Sequence, residues 1–365
     1  METIGIICEF NPLHNGHVYF LDSIKRRYPE SRIVLVMSGY FTERGDASIL
    51  SKYDKVKLSL LYGVDLVLEL PVLYTLNSAD FFAEAAIKIL SMAHVTRIVF
   101  GSETDDVTRL LEVAKIQLND SKINVDIKSA LSEGLNYPSA LSKVLGETFD
   151  SNDILGIAYI KAILNGNYDI SFETVKRTNS FNDLELDDNI VSAENIRYKI
   201  YNDDNIDKYI PNYNGIQLVK VDNNKMFELL KYKIITSKRL DCYLGVDEGL
   251  ENRIKDVIKT ANGLNELIEM TKSKRYTYVR IKRMFTHILL GIEKEDMAYN
   301  IDYARVLGFT SSGQKLLKEL NSEKLVYRYI GRVRDIELVA NGVYEMITGK
   351  CENEEKGNKP IKIDR

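Results

Sequence analysis

Residues 9–20 read EFNPLHNGHVYF and follow directly on the apolar run IGIIC. Two of the four histidines in the chain, His14 and His17, lie here, three apart around Asn15-Gly16. An apolar run that ends in a polar turn and passes into apolar residues at helical spacing (Phe20, Leu21, Ile24) marks a strand, a turn and a helix in succession. In an open parallel sheet that turn lies beyond the carboxyl end of a strand, where ligands bind, and the free N–H groups opening the helix favour an anion. Pro12 stiffens the approach and Asn15-Gly16 permits a tight turn. Two histidines on one helical turn face the same side and can both donate to one phosphate. The same spacing also suits a zinc ion or two surface residues. Glu9 is the one further ligand nearby, and the His-Glu-x-x-His frame is absent, which counts against zinc.

Working outward, four short runs read as buried strands: IGIICEF (4–10), RIVLVMSG (32–39), DLVLELP (65–71) and RIVFGSE (97–103). The stretches between them carry apolar residues at helical spacing, which predicts right-handed β-α-β crossovers and an α/β, doubly wound parallel sheet. A helix opened by Asp150 or Ser151, the strand-like DISFETVKR (169–177) and a helix introduced by Ser192 complete a first domain over residues 1–204. Beyond the polar stretch NDDNIDKYIPNYNG, helical periodicity dominates and strand signals are weak, which predicts a mainly α-helical second domain over 205–365.

With 365 residues and 45% hydrophobic content, two cores of ordinary size can be filled. The N-terminus has no basic region ahead of an apolar stretch, and no window approaches eighteen apolar residues, so a cytoplasmic protein without membrane contact is expected. Cys8, Cys242 and Cys351 are far apart, with no CxxC spacing, and predict neither disulfides nor a structural metal. The glycine fingerprints of dinucleotide sites and of phosphate loops are both missing from the first turn, so hydride transfer and P-loop chemistry lose support.

The motifs match a family pattern in order. HNGH after the first strand resembles the HxGH signature of the nucleotidylyltransferase superfamily, and VSAENIR (191–197) resembles its later helix start, which contacts phosphates in relatives. EFNPLHNGH, MSGYFTERGD (37–46), GVDLVLELP (63–71), FGSE (100–103), SNDILG (151–156), VKRT (175–178), KRYTYVRIKRM (274–284) and ARVLGFTSSGQKLL (304–317) are together similar to the bacterial tRNA(Met) cytidine acetate ligase family. That resemblance implies a first domain that binds ATP, with acetate activated as acetyl-adenylate and then transferred to the wobble cytidine of elongator tRNA(Met). It implies an ATP site made of Ile7, Cys8, Glu9, Phe10, Asn11, Pro12, Leu13, His14, Asn15, Gly16, His17, Val18, Tyr19 and Phe20, with Gly101, Asn152, Lys176 and Arg177. His14 and His17 are the expected catalytic pair, and magnesium is expected to accompany ATP. The residues themselves agree: Gly101 closes a strand and admits a ligand to the backbone, Asn152 sits in a first helical turn, and Lys176 and Arg177 end a strand. Two positions depart from the family pattern, Phe20 where relatives carry a third histidine and Glu43 where glutamine is more usual.

Other candidates are less specific. Ser38, Gly39 and Arg44 follow the second strand and suit either the cleft or a surface turn, while Asp65, Glu69 and Glu103 could hold magnesium; structural roles are favoured for Asp65 and Glu69. Net charge is −4, yet Met270–Ile292 contains no acid and six cations, among them Lys274, Arg275, Arg280 and Arg283, interleaved with Tyr276 and Tyr278. A basic patch on an acidic chain, with tyrosines to stack on bases, predicts an RNA face on the second domain; a solvated face above the Ile281, Met284 and Phe285 stripe is the plainer reading. A small-molecule adenylyl- or cytidylyltransferase, or a non-catalytic tRNA-binding protein, would share the turn. No protein partner is predicted.

Overall fold

The computed structural model describes residues 1–177, 190–274, 276–352 and 359–365. An eight-stranded sheet forms its centre: β1 (Thr3–Cys8), β2 (Arg32–Ser38), β3 (Leu66–Leu70), β4 (Arg97–Ser102), β5 (Ser171–Lys176), β6 (Ala304–Thr310), β7 (Leu325–Val326) and β8 (Ile361–Ile363). The order is β5-β4-β1-β2-β3-β6-β7, with β8 also paired to β6. The five strands of the N-terminal half are mutually parallel, and winding reverses between β1 and β4. The cleft of an open sheet lies at that reversal, beyond the carboxyl ends of the strands.

Successive residues of each strand face opposite sides, and the core divides accordingly. Ile4, Ile6, Ile33, Leu35 and Val67 pack with Leu21, Ile24, Val56 and Leu60 of the helices Asn15–Arg27 and Lys52–Leu61. Val34, Val36, Leu66, Leu68 and Phe100 pack with Ala86, Leu90 and Ile157 of the helices Ala79–Met92 and Ser151–Asn165. Gly156 allows the second layer to approach: a Cβ there would stand 2.4 Å from the Phe100 ring.

The expectation of weak strand signals after residue 204 is corrected by β6, which is buried and antiparallel to β3, and by β7 and β8 beside it. ARVLGFT runs straight into the helix Ser311–Leu320, so its strand is masked in sequence by the helical stretch that follows. One continuous core joins Val34 and Leu66 to Tyr344 and Ile347, so the division at 204/205 does not separate two cores. A buried ionic group ties the halves: Lys52 Nζ donates to Glu69 at 2.6 Å, Arg305 to Glu69 at 3.2 Å, and Glu337 accepts from the Val72 N–H while standing 3.7 Å from Lys52. Glu69 is therefore structural. So is Asp65, which accepts from the Ile33 N–H at 2.9 Å and from Thr310 at 3.1 Å. Among the described residues no helix is long and apolar enough to cross a membrane.

Candidate active site

Beyond β1 the backbone turns through Phe10, which adopts a left-handed φ of 47°, and reaches His14 as the N-cap of the helix Asn15–Arg27. Asn15 and Gly16 are the first residues of that helix rather than a tight turn, because the reversal is already made at Phe10. The helix start is closed by a capping box made of two imidazoles. His14 Nδ1 accepts from the Gly16 N–H at 3.1 Å, and His17 Nδ1 accepts from the His14 N–H at 3.2 Å. The rings lie 3.8 Å apart between centroids, and the edge of Phe10 meets His17 at 4.8 Å. A neutral imidazole whose Nδ1 accepts carries its proton on Nε2, so each ring presents one Nε2–H donor.

Burial, with the positive charge of Arg177 and Arg197 behind it, lowers His14 to about 3, and burial with the neighbouring His14 ring holds His17 well below the ordinary range. The pair is neutral near pH 7, so positive charge comes from elsewhere. Arg197 donates to the Asn11 carbonyl at 2.6 Å from the helix Ala193–Tyr201, whose N-cap is Ser192. Arg177 follows β5 and runs past Gly101, where a Cβ would stand 3.5 Å from its Cγ. Lys176 is exposed beside it.

Glu103 arranges this wall. Its carboxylate accepts from the Asn152 amide and, at 3.2 Å, from the Asp153 N–H, and lies 3.4 Å from Arg177 Nε.

The third wall is the loop after β2. The Glu43 N–H donates to Glu9 Oε1 at 2.7 Å, and the Glu43 side chain is paired with Arg283 of the helix Tyr278–Leu290. Lys282 is paired with Asp46, and Thr286 donates to the Gly45 carbonyl at 3.0 Å. Gly45 has φ +85° and lies against that helix, where a Cβ would stand 3.1 Å from the Arg283 backbone nitrogen. Burial raises Glu9 and lowers Lys55, whose ammonium donates to the Ser38, Gly39 and Glu9 carbonyls at 2.7, 2.6 and 3.2 Å. Burial and the adjacent Glu9 push the Cys8 thiol up to about 12, which leaves it a poor nucleophile.

These walls enclose a cleft of about 690 Å³. Ile7, Cys8, Glu9, Phe10, Asn11, His14, Gly16, His17, Tyr19, Phe20, Gly101, Asn152, Lys176 and Arg177 all line it, and so does Arg44. Pro12, Leu13, Asn15 and Val18 do not: Leu13 and Val18 pack in the core behind, and the Asn15 N–H donates to the Tyr209 carbonyl at 3.0 Å. Helical and turn geometry sets these four residues away from the cleft. Ser38 is buried beneath the cleft rather than lining it.

The basic segment also divides. Lys282 and Arg283 are spent on the loop at 43–46, and Arg283 lines the cleft. Lys274 and Arg280 are exposed, while Arg275 lies outside the described residues. Tyr276 is buried beneath the Arg280 guanidinium at 4.5 Å, so it does not offer a free face to a base. Sequence reading held Glu103 only as a possible magnesium ligand and did not single out Arg197, although the FGSE and VSAENIR motifs contain them. Gln117, Tyr137 and Lys161 also line the cleft and carry no local signal, since separate helices deliver them.

The HIGH Nucleotidyl Transferase family profile matches residues 1–358. The tRNA(Met) cytidine acetate ligase of Clostridium novyi is 37% identical over 361 residues, covering 90% of this chain and 90% of that one, and its counterpart in Bacillus subtilis is 32% identical over 408 residues, covering 100% and 98%. This chain belongs to the tRNA(Met) cytidine acetate ligase family. Among solved structures it resembles the apo Thermotoga maritima TmcAL, with a TM-score of 0.88 at 26% identity and full coverage of both chains. The same Thermotoga protein bound with alpha-thio ATP gives a TM-score of 0.85. As a member of this ligase family the chain is an enzyme, and the paired Nε2–H donors at the sheet reversal fall where its HxGH signature lies.

Proposed function

We propose that this protein joins acetate to ATP as acetyl-adenylate and then acetylates the wobble cytidine of elongator tRNA(Met), giving N4-acetylcytidine. The observation that carries the reading is the mutual capping of His14 and His17, which turns two Nε2–H donors toward one cleft together with Arg177 and Arg197. In the first step a carboxylate oxygen of acetate attacks the α-phosphorus, the bond to the bridging oxygen breaks, and pyrophosphate leaves with the electron pair. His14 and His17 donate to phosphate oxygens as charge spreads over them, and the arginines balance that charge. A hydrogen bond to a charged group contributes about 1.5–3 kcal/mol. Fixed donors gain further because they need no reorganisation in the transition state.

The rest of the ATP site follows the walls of the cleft: the Gly101 backbone meets the nucleotide, and Asn152, Lys176 and Arg177 close over it. Magnesium would accompany ATP as the counter-ion of its phosphates and would supply charge balance there. Among the described residues no group of three or more His, Cys, Asp or Glu side chains is placed to hold a metal, so a dedicated protein cage does not fit. In the second step the cytidine amine attacks the acetyl carbon, the bond to AMP oxygen breaks, and one amine proton leaves to water. A raised Cys8 thiol suits a route with no covalent enzyme intermediate. Lys274, Arg275 and Arg280 are the proposed contacts to the RNA backbone, and a tRNA substrate places the work in the cytoplasm.

The test is mass spectrometry of methionine tRNA incubated with protein, ATP and acetate, beside acetate-dependent exchange of labelled pyrophosphate into ATP. Acetylcytidine with exchange is the expected result. Exchange that requires a phosphorylated metabolite instead of acetate would replace the reading with a small-molecule nucleotidylyltransferase.

A further inference from the structure

Across the two proposed steps one proton has to be removed. Acetate enters as a carboxylate and pyrophosphate leaves as an anion, so adenylate formation transfers none. The cytidine amine loses one N–H proton as its nitrogen joins the acetyl carbon. Its lone pair is delocalised into the ring, so attack is slow unless a base takes that proton. The histidines do not serve, because each Nδ1 accepts a backbone N–H and each Nε2 already carries a proton. Among the described residues five acids line the cleft: Glu9, Glu43, Asp46, Asp80 and Glu194. Glu43 is paired with Arg283, Asp46 with Lys282 and Asp80 with Lys161. Glu194 is exposed, in the first turn of the helix that carries Arg197.

Glu9 differs from all four. It follows β1 directly, one residue before the reversal at Phe10, and is half-buried on the cleft wall. Its Oε1 accepts one backbone N–H, that of Glu43 at 2.7 Å, and among the described residues no cation is paired with its carboxylate. The Lys55 ammonium turns to the Glu9 carbonyl instead, at 3.2 Å. The titratable groups facing it are Cys8 on its own segment, Glu43 and Arg44 on the loop after β2, Lys55 on the helix Lys52–Leu61 and Tyr159 on the helix Ser151–Asn165. Burial outweighs the cations among them and holds the carboxyl above the ordinary carboxylate range. The position also suits the second step. Glu43, whose N–H holds Oε1, is tied through its side chain to Arg283 on the helix Tyr278–Leu290, three residues on from the proposed RNA contact Arg280. Glu9 thus lies between the histidine turn and the helix that carries that contact. We infer that Glu9 is the general base of acetyl transfer, its Oε2 taking one N4 proton of the cytidine as the nitrogen lone pair forms the bond to the acetyl carbon. The carbonyl π pair moves onto oxygen and returns, the bond from the acetyl carbon to the AMP oxygen breaks, and AMP leaves with that electron pair. Glu9 then releases the proton to water, which restores its carboxylate. This role rests on the proposed acetyl transfer and adds the group that makes the amine reactive.

Single-turnover transfer from synthetic acetyl-adenylate to methionine tRNA isolates the second step, and acetate-dependent pyrophosphate exchange reads the first. In the wild-type protein the transfer rate is expected to rise with pH through an inflection at about 7 and then level off, because only the ionised carboxylate accepts the proton. Glu9→Gln keeps an acceptor for the Glu43 N–H at nearly the same volume. It is expected to slow transfer by about 10²-fold or more relative to exchange in the same variant, and to abolish the inflection. Glu9→Asp is expected to recover part of the rate with the inflection restored, and provides the answer if thermal melting shows that Glu9→Gln does not fold. The inference is overturned if wild-type transfer lacks the inflection, if Glu9→Gln keeps transfer, or if Glu9→Gln loses exchange and transfer in equal measure, which would confine Glu9 to the ATP site. A wild-type protein that forms no acetylcytidine would instead sink the proposed acetyl transfer, and the role of Glu9 with it.

Discussion

His14 and His17 cap one another: the His14 ring accepts the Gly16 N–H, and the His17 ring accepts the His14 N–H at 3.2 Å. Helix capping and the orientation of the two Nε2–H donors are thus one arrangement. Gly16 is part of it, because a Cβ there would stand 2.9 Å from His14 Cε1.

Nitrogen-15 NMR of the histidine side chains should show both rings as the Nε2–H tautomer at pH 7, with His14 remaining neutral down to about pH 4. The sign on stability follows. The folded protein holds His14 unprotonated to about 3 while the unfolded chain takes up a proton near 6.5, so the folded state carries fewer protons in that window. Its contribution is lost as pH falls from 6.5 toward 3. A His14 titration near 6.5 in the free protein would contradict the buried, neutral pair.

His17→Ala removes a donor and half of the capping box. Acetyl-adenylate formation is expected to fall by about 10²-fold or more, with a loss of about 1 kcal/mol in stability and unchanged tRNA binding. Single-turnover assays beside a filter-binding titration check this, and normal adenylate production would remove His17 from the chemistry.

Arg280 and Arg283 sit on one helix with different duties, so their variants should separate. Arg280→Glu is expected to weaken tRNA binding and flatten its salt dependence by about one unit of slope, with exchange intact. Arg283→Glu places a like charge against Glu43 in the cleft wall and is expected to lower both stability and exchange. Identical salt slopes for wild type and Arg280→Glu would take Arg280 out of the RNA interface.

Lys52→Met leaves Glu69 buried with Arg305 as its remaining cation. Breaking a buried ion pair from one side costs about 3–5 kcal/mol. Urea unfolding should show that loss, and Lys52→Met with Glu69→Gln should recover part of it. A single variant within 1 kcal/mol of wild type would show that the ionic group does not bind the halves together.

Strands β1 to β5, the helices that link β1 to β4, the helix Ser151–Asn165 and the position of the histidine turn were legible in the residues, because periodicity and turn chemistry are local; the three helices Val107–Asn119, Ser121–Ser132 and Tyr137–Leu145 were not read from the sequence. Continuous apolar runs bounded by breakers, as in RIVLVMSG and DLVLELP, need no distant information to read as buried strands. Membership of β6 in the same sheet was not legible. Its seven residues lead directly into a helix, and their partner, β3, lies more than 230 residues earlier.

The sequence by itself determined that a turn beyond the first strand would open a helix on two histidines, since the strand, the cap and the pair all lie within fifteen residues. Only the tertiary structure decided that the rings are neutral Nε2–H donors, that Arg197 and Glu103 complete the wall, that Arg283 serves the cleft while Arg280 faces outward, and that Gln117 and Tyr137 line the same cleft. Protonation and side-chain duty depend on burial and on partners from distant segments. Those are settled by packing, which no local spacing records.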